Sequence, residues 1–233
     1  MSSMSALAEL PQLERRTLAD TAYEALADLL ASGRLAPGDR LSLRQSAAAL
    51  GVSVMPVREA VSRLVADGVL EVAATRAIRV PIMTAQDFRA LAETRMAIEG
   101  MAAARTAERR SEADLAAIRR AEAAFRAEAE SARPDSAQAV RLNRDLHFAI
   151  YAGCGLAPLH EIIARLWLKA GPVINLDLRA HPERLLQGFA LRRHAEALAA
   201  IEAGDGPAAA AALAADIREA ADFIMSRGGL RDT

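Results

Sequence analysis

The chain has 233 residues, of which 52% are apolar, so it is long enough for two domains of ordinary size with buried cores. Its net charge of -1 excludes a polycation that binds nucleic acid by overall charge, and any such binding must come from locally placed arginines. The single cysteine, Cys154, excludes an intrachain disulfide. No run of residues is long and apolar enough to cross a bilayer, so we expect a cytoplasmic protein with no membrane partner.

The first patterned segment is an amphipathic helix that begins near Thr17. Apolar residues recur at helical spacing from Leu18 to Leu30, and Gly33 ends the helix. A Pro-Gly-Asp turn follows at residues 37–39, and Arg40-Leu41 is expected to form a very short strand.

Residues 41–70 have the pattern of two short helices joined by a tight turn. The first has its apolar residues on one face and ends at Gly51, which tolerates the left-handed conformation of a helix cap. The second begins after Ser53 and carries an apolar stripe, formed by Val57, Ala60, Val61, Leu64 and Val65. Two helices that cross at a glycine turn are typical of a helix-turn-helix, whose second helix enters a DNA major groove.

Two β-branched runs, Val69–Val72 and Ile78–Ile82, follow the second helix and are separated by residues 73–77. Runs of this kind on either side of a short connection predict a two-stranded hairpin, here the wing of a winged helix-turn-helix. We therefore predict a winged helix-turn-helix domain over residues 15–82.

The remainder of the chain, residues 84–228, is predicted to be an all-helical domain. Thr84, with Asp87 three residues later, is a good helix cap, and no strand pattern follows it. Glycine, proline and serine breaks divide the segment into six helices, with predicted bounds of about 85–108, 111–131, 135–153, 157–178, 183–203 and 206–227. Short connections between helices are typical of an antiparallel bundle, so the fold class is mainly α with a small β-hairpin.

Four polar residues interrupt the apolar stripes of three of these helices. Asn143 and His147 share a face of the third helix, His194 lies on the stripe of the fifth, and Asp216 lies on that of the sixth. Buried polar groups are costly unless they are paired or bound to a ligand, so the residues are either hydrogen-bonded core residues or a metal site. Imidazole and oxygen ligands suit Zn, Ni, Mn or Fe, and they differ from the soft thiolate ligands of a cysteine site.

The N-terminal motifs resemble the GntR superfamily of bacterial transcription regulators. The resemblance rests on Gly33–Gly38, Gly51-Val52-Ser53, the run Pro56-Val57-Arg58-Glu59-Ala60, and Leu64 through Leu70, at matching spacings. It implies that double-stranded operator DNA is bound by residues before the first helix of the motif, at the start of the second helix and in the wing. By position these residues are Arg44, Ser53, Val54, Met55, Arg58 and Arg76.

Two residues depart from the pattern of that superfamily. Val54 stands where an arginine is common, and Ala77 stands where the wing usually has a glycine. Val54 can contact a thymine methyl, and Ala77 is expected to change how closely the wing approaches the minor groove. For Arg58, an ion pair or a solvated position is the alternative to a DNA contact.

The C-terminal motifs resemble the FadR C-terminal ligand-binding domain. The matching pieces are Glu93–Glu99, Asn143–His147 and Arg193–Leu198. The resemblance implies one divalent transition metal (Zn, Ni or Mn) and no organic cofactor, with Asn143, His147, His194 and Asp216 at the ligand positions. Here Asn143 replaces an aspartate and Asp216 replaces a histidine, which leaves two imidazoles and one carboxylate.

Arg95 has two interpretations that the sequence leaves open. It lies four residues before Glu99, at the spacing of an ordinary ion pair on a helix surface, worth ~0.2–0.5 kcal/mol. The resemblance implies instead that Arg95 faces the bundle cavity and holds an effector carboxylate through two hydrogen bonds.

Together these features predict a ligand-responsive transcriptional regulator, most commonly a repressor in this family, that binds a palindromic operator as a homodimer and senses a small organic or sugar acid. The alternative is a metal-dependent enzyme in the helical bundle, with the N-terminal domain as a DNA tether. Nothing in the chain marks a general base or a nucleophile, which favours the regulator.

Overall fold

The structure is a computed structural model in which residues 17–180, 188–227 and 230 are described, except for the side chains of residues 176–180. The first half of the fold contains three helices and three short strands: α1 (Leu18–Ala31), β1 (Arg40–Leu41), α2 (Leu43–Leu50), α3 (Val54–Ala66), β2 (Glu71–Val72) and β3 (Ile78–Arg79). Six helices follow in the described residues: α4 (Ala85–Arg109), α5 (Glu112–Ala129), α6 (Ser136–Ala152), α7 (Ala157–Ala180), α8 (Phe189–Ala203) and α9 (Gly206–Ser226).

The N-terminal part folds around the apolar faces of α1 and α3. A capping box between Thr17 and Asp20 starts α1, and Gly51, with φ +66°, ends α2 in the left-handed conformation that glycine tolerates. Leu30 and Leu64 are fully buried where α1 packs on α3. The helix-turn-helix is therefore held against α1, and the face of α3 that carries Arg58 is exposed.

The three strands form one small antiparallel sheet in the order β1-β3-β2. Arg79 of β3 is paired with Arg40 on one side and with Glu71 on the other. The predicted hairpin is confirmed with shorter strands, and the short strand at Arg40-Leu41 completes a three-stranded sheet. The predicted class, a winged helix-turn-helix followed by a helical domain, is confirmed.

The C-terminal part is a bundle in which α4 packs along α9, α8 packs on both α9 and α4, and α5 packs on α6. The described helix α8 begins at Phe189 rather than at 183, after Gly188, whose φ is +70°. Residues 183–187 of the predicted helix lie outside the described residues. So do residues 15, 16 and 228, at the limits of the predicted domains.

The two parts meet where α1 packs on α7. Leu168 of α7 belongs to the apolar core of the N-terminal part, although Trp167 beside it belongs to the core of the bundle. Helix α7 thus contacts the helix-turn-helix domain with one face and the bundle interior with another. Within the described helices, none is long and apolar enough to cross a membrane.

Candidate functional site

The N-terminal end of α3 is exposed, and the hydroxyl of its N-cap residue makes no capping hydrogen bond. That residue is Ser53. A capping serine usually accepts from the second or third helical N–H, and the third residue of α3 is Pro56, which has none. The Ser53 hydroxyl and the adjacent helix end are therefore suited to a phosphate oxygen.

The other predicted contact residues of the helix-turn-helix differ in exposure. Arg44 on α2, and Met55 and Arg58 on α3, are exposed. Val54 is only half-exposed and packs against the N-terminal core, so part of its side chain stabilises the domain. The structure thus places three predicted contact side chains fully on the outer surface and one partly in the core.

Arg63, further along α3, is held within the domain. Its Nη1 donates to Asp20 Oδ1 at 2.7 Å, and its guanidinium lies 4.4 Å from the centroid of the Tyr23 ring. Hydrogen bonds from Arg63, and then from Thr17, lower the pKa of Asp20 to about 2. Arg63 therefore links α3 to α1, and its guanidinium is engaged by residues of α1.

The turn of the wing carries its conformational strain at Arg76. Arg76 has φ +60°, and its N–H donates to the Ala73 carbonyl at 2.8 Å. Ala77 stands where the wing usually has a glycine, but its φ is not positive. The left-handed residue is Arg76, one position earlier. The left-handed backbone conformation costs a residue other than glycine about 1 kcal/mol or more. The Arg76 side chain is exposed, so it places a positive charge at the tip of the wing.

The second candidate site is a cavity of about 90 Å³ in the helical bundle. All six bundle helices contribute to its wall, and Ala31 at the end of α1 contributes from the N-terminal part. Four of the predicted site residues line it: Arg95, Asn143, His147 and Asp216. His194 lies beside His147, with their ring centroids 5.3 Å apart.

Three of the predicted metal ligands converge. His147 Nε2 lies 3.3 Å from Asp216 Oδ2, and His194 Nε2 lies 3.7 Å from Asp216 Oδ1. One ligand atom from each of the three residues lies within 4.8 Å of the others. His147 Nε2 and both ring nitrogens of His194 are buried, and no described residue forms a hydrogen bond with them.

A chain of hydrogen bonds fixes the tautomer of His147. The Tyr151 hydroxyl donates to Glu99 Oε2, and His147 Nδ1 lies 2.9 Å from the Tyr151 oxygen. Burial raises the pKa of Tyr151 well above its usual value of 10, so the hydroxyl stays protonated. Its one O–H is used in the hydrogen bond to Glu99. His147 Nδ1 must then be the donor to Tyr151, and in the neutral form of the ring this leaves a lone pair on Nε2.

That lone pair points toward the cluster, where Asp216 Oδ2 is also electron-rich. Burial lowers the pKa of His194 to about 4, so its imidazole is neutral at pH 7 and also keeps a lone pair. Lone pairs that face one another are unfavourable unless a cation lies among them. The donor set fits a divalent metal such as Zn, Ni or Mn, and Asn143 lies one helical turn before His147 on the same cavity wall.

The structure bears on both interpretations of Arg95: the side chain pairs with Glu99 and also lines the cavity, while its contact with an effector carboxylate stays a prediction. Its Nε and Nη2 donate to Glu99 at 2.6 and 3.3 Å, yet Arg95 also lines the cavity and lies 4.7 Å from the centroid of the Trp167 ring. The expectation of a weak surface pair was wrong, because both side chains are buried. Glu99 also accepts from Trp167 Nε1 at 3.2 Å, so it organises this wall of the cavity.

Sequence reasoning did not identify Tyr151 and Trp167 as part of the site. A signal for Tyr151 was present, because it lies four residues after His147 and so on the same helix face. Trp167 had no such signal, since it reaches the site only through the packing of α7. Both residues position the histidine, with the Trp167 and His147 ring centroids 5.1 Å apart.

A winged helix-turn-helix followed by a helical domain with a polar cavity defines the class of the protein, a transcriptional regulator with an effector-binding domain. Residues 18–80 match the family described as "Bacterial regulatory proteins, gntR family", and residues 90–219 match the FCD domain. The chain belongs to the GntR family of bacterial regulatory proteins, with an FCD domain at its C-terminal side.

Similar proteins support the same assignment. The "HTH-type transcriptional regulator McbR" of Escherichia coli K12 is 33% identical over 180 residues, which are 76% of this chain and 78% of that protein. The solved structure titled "E. coli McbR/YncC" has a TM-score of 0.84 at 28% identity and covers 92% of this chain and 100% of that one. A putative GntR regulator from Rhodococcus sp. RHA1 has a TM-score of 0.73 at 25% identity, over 91% and 99%. These domains and relatives are those of transcriptional regulators and not of enzymes.

Removal of the Tyr151 hydroxyl is expected to weaken metal binding. In Tyr151→Phe nothing fixes the His147 tautomer, so zinc affinity should fall by ~10–100-fold in a competition titration with a coloured chelator. Tyr23→Phe is the matched control, because the Tyr23 hydroxyl lies 3.5 Å from Asp67 Oδ2 in the N-terminal part. Equal zinc affinities in Tyr151→Phe and wild type would contradict this role.

Arg76→Gly is expected to stabilise the domain and weaken DNA binding. Glycine relieves the left-handed strain, so the free energy of unfolding should rise by up to ~1 kcal/mol in urea titrations. Loss of the cation should reduce the slope of log affinity against log salt by ~0.9 if Arg76 contacts a phosphate. Arg76→Ala should show the same loss of binding without the gain in stability. Unchanged DNA affinity in both variants would exclude a wing contact from Arg76.

Proposed function

We propose that the protein is a ligand-responsive repressor that binds a palindromic operator as a homodimer, in the cytoplasm where that DNA lies. The helix-turn-helix of residues 15–82 would contact DNA through Arg44, Ser53, Val54, Met55, Arg58 and Arg76. The helical domain of residues 84–228 would bind a small carboxylate effector. Two-fold symmetric operators favour two copies of the chain, with one recognition helix in each half-site.

The observation that carries the effector proposal is the cluster of His147, His194 and Asp216. Their ligand atoms lie within 4.8 Å of one another, and His147 Nε2 and both ring nitrogens of His194 have no hydrogen-bond partner among the described residues. His147, His194 and Asp216 would hold one divalent metal, with Asn143 as a fourth ligand. A bound metal would supply positive charge and an open coordination position for a carboxylate.

The size and charge of the cavity limit the effector. A volume of about 90 Å³ is well below the ~300–1,000 Å³ of pockets for drug-sized ligands, which favours an acid of a few carbon atoms. Glu99 offsets the charge of Arg95, so the metal rather than Arg95 would be the main anchor of a carboxylate. Arg95 would then orient the bound acid from the α4 wall.

Effector binding would act on the placement of the DNA-binding domain. Ala31 of α1 forms part of the cavity wall, so a ligand in the cavity contacts the N-terminal part directly. A ligand shifts an equilibrium only by its difference in affinity for the two arrangements. We expect the acid to favour an arrangement in which the two recognition helices of the dimer no longer fit both half-sites.

Metal content is the direct test of the cluster. Purified wild-type protein, incubated with Zn, Ni or Mn and desalted, is expected to hold about one equivalent, because two imidazoles and a carboxylate form a chelate. His147→Ala and His194→Ala should each lose the metal in elemental analysis. Asn143→Asp should bind more tightly than wild type, because a carboxylate is a stronger ligand than an amide.

His160→Ala is the matched control for the histidine variants. His160 is half-buried outside the cavity, where it packs on Phe148 with ring centroids 5.4 Å apart. It should leave the metal content unchanged. A wild-type protein that holds no metal under these conditions would contradict the metal part of the proposal.

Arg58→Ala is expected to weaken operator binding. A duplex is first selected from a random pool by wild-type protein, and affinity is then measured by fluorescence anisotropy at fixed salt. If Arg58 contacts a base edge, its removal should cost ~1–3 kcal/mol. Arg89→Ala, at an exposed position on α4, should bind as wild type. Full affinity in Arg58→Ala would show that α3 is not docked through this face.

A further inference from the structure

Asn175 is a buried amide of α7 that contacts the DNA-binding domain. Its side chain is only 2% exposed, and its Nδ2 donates to the Ala31 carbonyl at the end of α1, at 2.6 Å. A carbonyl oxygen can only accept, so the amide nitrogen must be the atom that faces Ala31. Oδ1 therefore points away from that contact.

Oδ1 of Asn175 is buried, and no described residue donates a hydrogen bond to it. Asn175 lines the cavity together with Ala31, His147 and Asp216. A buried acceptor without a partner is unfavourable, and none of the described residues supplies a donor to this one. Because Asn175 lines the cavity, a molecule bound there can supply the donor.

The end of α1 and the residues after it lie very close to α7 around Asn175. A Cβ atom at Gly33, whose φ is +62°, would lie 2.0 Å from the Cβ of Asn175. A Cβ atom at Gly171, one turn earlier on α7, would lie 3.1 Å from the Ala31 Cα. Glycines at both positions let the end of α1 lie directly on α7, so a change at Asn175 is transmitted to α1 by contact.

We propose that Asn175 is the residue that couples the effector to the DNA-binding domain. Its Oδ1 accepts a hydrogen bond from a donor group on the bound acid, and its Nδ2 holds the end of α1. A ligand with such a donor, a hydroxyl or an amine, fixes the carboxamide and thereby fixes α1 against α7. An acid without the donor binds the metal but leaves this contact unchanged.

This inference rests on the proposed function, because it assumes that a small acid occupies the cavity beside the metal. It adds a second recognition point to the one that the metal would provide. It also gives Asn175 a positioning role that differs from a purely structural one. A structural amide would stabilise the α1–α7 contact equally with any ligand.

The test uses the metal-loaded full-length protein and three acids of similar size: propionate, lactate and 3-hydroxypropionate. Dissociation constants are measured by calorimetry for wild type, Asn175→Leu and Asn175→Ala. Hydroxy acids also chelate metals by themselves. For each protein, the affinity for the hydroxy acid is therefore divided by the affinity for propionate. This ratio is then compared between wild type and variant.

In wild type, at least one hydroxy acid is expected to bind about 10-fold or more tightly than propionate, as a hydrogen bond to a buried acceptor implies. In both variants that ratio should fall about 10-fold, while propionate affinity changes little. Hydrogen exchange of the α1 amides should slow on addition of that hydroxy acid in wild type only. Because the two variants differ in size, agreement between them separates lost hydrogen bonding from altered packing.

An unchanged ratio in the variants would overturn the inference, as would a panel in which no hydroxy acid binds to the metal-loaded protein. Slower α1 exchange with propionate alone would also overturn it, because no donor would then be needed. Metal content and operator affinity are measured on the same wild-type preparation. If either is absent, the proposed function fails; if both are intact, a negative result concerns Asn175 only.

Discussion

Two buried imidazole rings lie against a partly buried carboxylate in the bundle, and no described residue forms a hydrogen bond with His147 Nε2 or with either ring nitrogen of His194. The surrounding residues keep them in this state. Glu99 and Tyr151 orient His147, and burial keeps His194 neutral. Such a group of acceptors is unfavourable in a folded protein unless a cation or a ligand joins it. The cluster therefore forms a polar site beside the apolar core of the bundle.

Helix α7 connects this cavity to the helix-turn-helix domain. Its Trp167 contacts His147, its Leu168 enters the core beneath the helix-turn-helix, and its Asn175 holds the end of α1. The cavity thus borders the helix-turn-helix domain directly, because Ala31 of α1 forms part of its wall. Coupling between them needs no long pathway, because a ligand in the cavity contacts residues that belong to both parts.

The sequence predicted what depends on periodicity and local turn chemistry. Helix caps at Thr84 and Gly51 and the inward positions of His147 and His194 follow from spacing alone. It could not predict contacts between distant segments. The approach of Trp167 to His147 and of Asn175 to Ala31 depends on how α7 crosses the fold. The burial of the Arg95–Glu99 pair likewise depends on the helices packed around α4, which no local pattern records.

The most direct measurement is the position of the metal in crystals of the full-length protein soaked with zinc, located by anomalous scattering at the zinc edge. The account predicts one strong peak among His147, His194 and Asp216, at the ~2.0–2.2 Å distances of nitrogen and oxygen ligands. A peak elsewhere in the bundle, or no peak at a zinc concentration that saturates the protein in solution, would contradict it.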